Sequence, residues 1–196
     1  MDKLFWKIYD KDINDSEIIQ DLEDLEYAKN KPEFDINLCY NCYGCETLLM
    51  SAVCCNRVKL IEYFLAYPVL KINYKNSFNT TALHMSCSCK SSIPILKLFL
   101  DHRDIDVNIQ NSDGWIALHN ACLHEHKEHV IELLLDARVH IMIRSKGEQT
   151  ARDVAIFWEY LGIANMLKKV LHTSLLRIPN ELLVHDIVRM IIEEYA

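Results

Sequence analysis

An all-α solenoid of about five helix–turn–helix repeats is the fold class the sequence predicts, on three observations. The first is the string Asp113-Gly114-Trp115-Ile116-Ala117-Leu118-His119-Asn120-Ala121, a glycine turn running into the start of an apolar helix. The second is its recurrence. Thr81-Ala82-Leu83-His84 begins 35 residues before Ile116, Thr47-Leu48-Leu49-Met50-Ser51-Ala52 begins 34 before Thr81, and Thr150-Ala151-Arg152-Asp153-Val154-Ala155 begins 34 after Ile116. Self-similarity at a period of this size signals a stacked repeat architecture. The third is a shorter marker, Phe34-Asp35-Ile36-Asn37, which returns as Lys71-Ile72-Asn73 and Asp106-Val107-Asn108.

The glycine turn and the strings Thr81-Ala82-Leu83-His84 and Ile116-Ala117-Leu118-His119 closely resemble the start of an ankyrin repeat, whose pattern is T-P-L-H-x-A. The resemblance covers repeats starting near residues 44, 78, 113 and 147, and a degenerate copy over about 1–38. It implies an ankyrin-repeat array over residues 1–171 and a separate segment, 172–196. It also implies structural roles for Thr47, Thr81, His84, Gly114, His119 and Thr150. The threonines cap helices, and the histidines hydrogen-bond backbone between neighbouring hairpins. Met50 and Asp153 stand where the outer copies would carry that histidine.

Taken in order, residues 2–9 and 16–28 carry apolar residues at helical spacing. In the second stretch Ile18, Ile19, Leu22 and Leu25 form a stripe, with Asp15 or Ser16 as N-cap. The second repeat pairs Thr47–Cys54 with Val58–Leu65, and Asn56 takes the left-handed position between them, which asparagine tolerates. The third pairs Ala82–Cys89 with Ile95–Leu100, and Pro94 suits a first helical turn. The fourth pairs Ala117–His124 with Glu128–Leu135; the fifth pairs Ala151–Trp158 with a short second helix, Gly162–Leu171. One such pair cannot bury its own apolar face. Leu83, Leu98, Leu118, Val130 and Leu134 are therefore expected to leave water only because a neighbouring repeat covers them.

Composition narrows the function. The 196 residues are 51% hydrophobic and 25% charged, with four glycines and four prolines, which fits a soluble folded chain with little linker. No apolar run reaches the roughly 18 residues of a membrane span, and the start of the chain does not read as a signal peptide. The net charge of −7 gathers at the amino terminus, where residues 1–38 hold eleven acids against five lysines. That acidic end argues against phosphate-driven nucleic-acid binding and reads as a solvated cap. Eight cysteines without a secretory signal suggest reduced thiols in a cytoplasmic or nuclear protein.

Two clusters have metal-ligand spacing. Cys39, Cys42 and Cys45 offer three thiols where structural zinc wants four, and Cys54 and Cys55 belong to the following helix. His124, His126 and His129 sit at a helix–helix turn without the carboxylate partner of an H-E-x-x-H set. Small buried or loop thiols and a surface turn are the expected outcomes, with no metal and no cofactor. Cys87 and Cys122 follow small-residue positions, so packing accounts for them. No phosphate-binding glycine loop, nucleophile elbow or kinase signature is present, so the chain reads as a non-enzyme.

Ankyrin proteins bind partners with hairpin tips and the inner faces of their first helices. Mapped here, the resemblance points to Tyr40, Tyr43, Phe78, Trp115, Leu123 and His124, several of them aromatic anchors of the kind that dominate interfaces. Beyond Leu171 the string Ile178-Pro179-Asn180-Glu181-Leu182-Leu183, then Ile187 and Ile191, resembles the opening of a truncated F-box. That layout belongs to the ankyrin/F-box proteins of poxviruses, other large DNA viruses and some intracellular bacteria. It implies that Ile178, Pro179, Leu182, Leu183, Ile187 and Ile191 dock a Skp-type adaptor of a cullin–RING ubiquitin ligase, while the repeats hold a target. Asp186 departs from the F-box pattern, and Val184, Val188, Ile191 and Tyr195 could instead seal the last repeat. The alternative is a stand-alone ankyrin inhibitor, resembling those that mimic cytoplasmic inhibitors of Rel-type transcription factors.

Overall fold

The computed structural model describes residues 2–28, 35–37, 39, 46–89, 91–175 and 189. The chain divides into two compact units, Met1–Ile105 and Asp106–Ala196. Every named element is a helix, and an isolated bridge between Cys39 and Thr47 is the extended pairing among the described residues.

The first unit holds α1 (Asp2–Tyr9), α2 (Asp15–Ala28), α3 (Leu48–Cys54), α4 (Val58–Leu65), α5 (Ala82–Ser88) and α6 (Ile93–Leu100). Odd-numbered helices pack in one row, α1 on α3 and α3 on α5; even-numbered helices form the other, α2 on α4 and α4 on α6. Helices of seven or eight residues are too short to persist alone in water, so packing must hold them. Phe5, Ile8, Ile18 and Leu22 are buried, as are Leu49, Val53, Phe64 and Phe99. Burying each such side chain contributes about 1.5–3 kcal/mol.

Two expectations change here. The cap of α2 is Asn14, whose Oδ1 accepts the Glu17 N–H at 2.9 Å, rather than Asp15 or Ser16, which lie inside the helix. Leu98 is only half-buried, because Ile95, Leu96 and Phe99 occupy the inward face of α6. Pro94 falls in the first turn of α6, where its missing donor costs nothing. Asn56 takes the left-handed conformation, φ 56°, as its position required.

Arg57 secures the acidic amino-terminal segment. Its guanidinium donates to the carbonyls of Ile8 at 3.1 Å, Ile13 at 2.6 Å and Asp10, and pairs with Asp15 at 3.2 Å. The Ile8 carbonyl lies in the last turn of α1, which has no partner within the helix, so a fixed planar donor suits it. Lys7 pairs with Glu17 at 3.5 Å and with Asp21.

The second unit holds α7 (Ala117–Leu123), α8 (Lys127–Leu135), α9 (Ala151–Phe157) and α10 (Leu161–Leu175). The same rule holds, α7 on α9 and α8 beside α10. The expected short final helix is corrected: α10 runs for 15 residues. Its inward stripe of Ile163, Ala164, Met166, Leu167 and Val170 keeps helical spacing and stays buried along that length.

Loops carry the polar part of the repeat. The asparagine ending each short marker reaches into the next loop. Asn37 donates to the Val69 carbonyl at 3.0 Å and accepts the Lys71 N–H at 2.6 Å. Asn73 donates to the Asp104 carbonyl at 2.7 Å. Asn108 donates to the Arg138 carbonyl at 2.7 Å and accepts the His140 N–H at 2.8 Å. A side-chain amide offers donor and acceptor together, so one residue ties two backbone groups of a neighbouring repeat.

A second device closes the hairpin tips. Asn76 Oδ1 accepts the N–H groups of Phe78 and Thr80, both at 2.9 Å. Asn111 Oδ1 does the same for Asp113 and Trp115 at 2.9 Å, and Ser145 Oγ for Gly147 and Gln149 at 3.2 Å. The fourth residue of each tip is left-handed: Asn79 at φ 55°, Gly114 at φ 78° and Glu148 at φ 59°. Only at Gly114 is a side chain excluded sterically. An added Cβ would lie 2.7 Å from the Lys146 nitrogen, whose N–H donates to the Asp113 carbonyl at 2.8 Å.

Two outcomes follow. Replacing Asn37 with Leu leaves the Val69 carbonyl and Lys71 N–H without that partner and should cost about 2 kcal/mol in urea unfolding. Gly114→Ala should cost at least about 2 kcal/mol, from left-handed strain and the backbone clash together. Loss below 0.5 kcal/mol in either variant contradicts the role given to that residue.

Candidate functional site

The helices α3, α5, α7 and α9 each begin at the recurring motif. Thr47 Oγ1 accepts the Met50 N–H at 3.3 Å, so this copy caps without a histidine. Thr81 Oγ1 accepts the His84 N–H at 3.4 Å, and His84 Nδ1 accepts the Thr81 N–H at 3.3 Å. Ile116 has no side-chain acceptor, so only the return half forms, its N–H donating to His119 Nδ1 at 3.3 Å. An accepting Nδ1 puts the proton on Nε2, and His119 Nε2 donates to the Gln149 carbonyl at 3.2 Å. That contact ties one hairpin to the next. Both rings are buried and engaged with backbone.

The last copy replaces imidazole with carboxylate. Asp153 Oδ2 accepts the Thr150 hydroxyl at 2.7 Å and the Thr150 N–H at 2.9 Å, while Thr150 Oγ1 accepts the Asp153 N–H at 3.3 Å. The Thr150 hydroxyl, then its N–H, hold the carboxyl below its ordinary value. A cavity of about 180 Å³ opens beside this cap between Ile141, Met142, Arg144, Arg152, Leu167 and Leu171. It is smaller than the roughly 300–1,000 Å³ of small-molecule sites.

The residues read as a partner surface fall differently. In the first unit Phe78 stands at a hairpin tip, 62% exposed. Tyr40 and Tyr43 lie outside the described residues, as do Cys42 and Cys45. In the second unit Trp115 is half-buried, its ring stacked on His119 with centroids 6.0 Å apart. Leu123 is half-buried and His124 exposed. Burial, then the neighbouring His126, lowers the His124 pKa. The His124, His126 and His129 rings lie one against the next, with centroids 5.7 and 5.1 Å apart. Among the described residues no three His, Cys, Asp or Glu side chains converge as metal ligands. Ile178, Pro179, Leu182, Leu183, Ile187 and Ile191 lie outside the described residues.

One exposed apolar group escaped the sequence reading. Phe157, Trp158 and Leu161 cluster at the α9–α10 turn, all exposed, with the Phe157 and Trp158 rings edge to face at 5.6 Å. Their signal was available: the turn after a first helix is where hydrophobic spacing should lapse, and here it does not.

Residues 87–135 match the family model for ankyrin repeats (many copies), which supports reading the chain as an ankyrin-repeat protein. No curated protein matches the chain. Ankyrin repeats point to a role in protein–protein interaction. No helix among the described residues is long and apolar enough to cross a membrane.

The Thr150–Asp153 cap makes stability pH-dependent. A carboxyl held below its ordinary value stabilises the fold above the unfolded-state pKa and loses that contribution as pH falls through the folded value. Asp153→Asn should therefore melt a few degrees below wild type at neutral pH, with the gap closing below about pH 4. A gap constant down to pH 2.5 contradicts the assignment.

Proposed function

We propose that this chain is a non-catalytic interaction protein that holds a target protein on its repeats and presents it to a ubiquitin ligase. The observation that carries the binding role is the hairpin tip. Its backbone is fixed the same way three times, by Asn76, Asn111 and Ser145, while the residue held at its centre is Phe78, Asp113 or Gly147, each exposed. A constant frame with interchangeable outward side chains is suited to recognition, and in it an exposed phenylalanine is an anchor.

Ligase recruitment rests on the string Ile178-Pro179-Asn180-Glu181-Leu182-Leu183 with Ile187 and Ile191, and on its resemblance to a truncated F-box. A helix presenting those apolar residues would lie in the groove of a Skp-type adaptor. On this reading the protein is a viral or bacterial effector acting in a host cell. The cytosol or nucleus is then its place of action.

Substitution tests this better than truncation, since ending the chain at residue 172 would remove the last turn of α10. Full-length protein and a Leu182→Asp/Leu183→Asp variant are compared in affinity capture with purified Skp-type adaptor, with circular dichroism as the folding control. Capture by wild type, lost in a folded variant, is the expected result. No capture by wild type, with a Rel-type factor bound equally by both proteins, overturns the adaptor role and favours the inhibitor.

A further inference from the structure

Cys54 and Cys89 lie one repeat apart in sequence, and their sulfurs are 3.4 Å from each other. Cys54 ends α3 and Cys89 caps the carboxyl end of α5, so the packing of α3 on α5 sets the pair side by side. Cys54 is exposed and Cys89 half-exposed, which gives a reagent access from solvent. A disulfide needs sulfurs about 2.05 Å apart, so roughly 1.4 Å of approach would close one.

We propose that Cys54 and Cys89 form a reversible disulfide that links neighbouring repeats, with a low-molecular-weight disulfide as oxidant. The proposal does not depend on which partner the repeats hold.

The two thiols divide the chemistry. The Cys54 S–H can donate to Cys89, which lowers the Cys89 pKa to about 7 against the opposing effects of burial and Glu46. The same hydrogen bond, then burial, raises that of Cys54. Either sulfur can donate in this contact; with Cys54 as the donor, Cys89 is the attacking thiolate. It attacks one sulfur of the oxidant, forming a mixed disulfide and releasing the other half as thiolate. Cys54 then gives its proton to solvent and attacks the Cys89 sulfur, expelling the second half. Two protein thiols are oxidised and one small disulfide is reduced to two thiols. Cys87 is fully buried, which pushes its thiol up to about 12 and keeps it out of this exchange.

The test treats the full-length chain with oxidised glutathione under native conditions, quenches with acid, alkylates, and maps the peptides. The expected product is about 2 Da lighter, has two fewer alkylatable thiols, and carries a Cys54–Cys89 cross-link that dithiothreitol removes. Cys54→Ser should stop at a glutathione adduct on Cys89. Cys89→Ser should form no cross-link at Cys54. The cross-linked wild type should show a higher urea midpoint than the reduced protein. Both thiols remaining alkylatable, a cross-link mapping to Cys55 or Cys39 instead, a lowered midpoint, or both thiols masked by bound zinc until a chelator is added would each overturn the proposal.

Discussion

The constraint on which the rest depends is that these helices are too short to stand alone. Seven-residue first helices gain their stability from what covers them: in the first unit α3 lies on α1 and α5, and in the second α7 lies on α9. Hydrophobic burial supplies the attraction but sets no register. Register comes from amides: Asn37, Asn73 and Asn108 each reach one repeat ahead to bond a particular backbone group. A donor or acceptor shielded from water and left without a partner costs more than a bond made in water gains, so the part-buried Asn37 contacts reject a slipped stacking most strongly.

The same division explains where variation is tolerated. Cap and tip backbones are fixed by short polar side chains, and the groups that fix them are largely shielded. Outward positions bear no such duty, which is why Phe78, Asp113 and Gly147 can occupy one site in three copies. Even the cap accepts different chemistry: imidazole at His84 and His119 and carboxylate at Asp153 each accept the return bond, while the Thr47 copy, with Met50 there, caps through its hydroxyl alone. Changing the acceptor changes the consequence: the carboxylate adds a charge that acid removes.

Much of the fold was legible in the sequence, and the reason is periodicity. Thr81-Ala82-Leu83-His84 states a cap and a buried face within four letters, and its repetition multiplies the signal. What was not legible depends on distant partners. The string Asp106-Val107-Asn108 was visible as a marker, but nothing local says that Asn108 bonds Arg138 and His140. Arg57 was silent for the same reason, since its carbonyl partners lie more than forty residues away. Leu98 and the length of α10 were misread because a short apolar run does not say which side faces inward or where packing stops. At the candidate site, Phe78 stands exposed at a tip, while Trp115 lies back on His119. The Phe157, Trp158 and Leu161 cluster went unseen because helical spacing makes such residues look like core.

Native-state hydrogen exchange at two loop amides tests this most directly. The Lys71 and His140 N–H groups lie outside helices and donate to Asn37 and Asn108. If interlocked amides set the register, both should exchange as slowly as helical amides in α4 and α8, opening only when the stacking opens. Exchange at the rate of an unprotected loop, with the helices still protected, would contradict it.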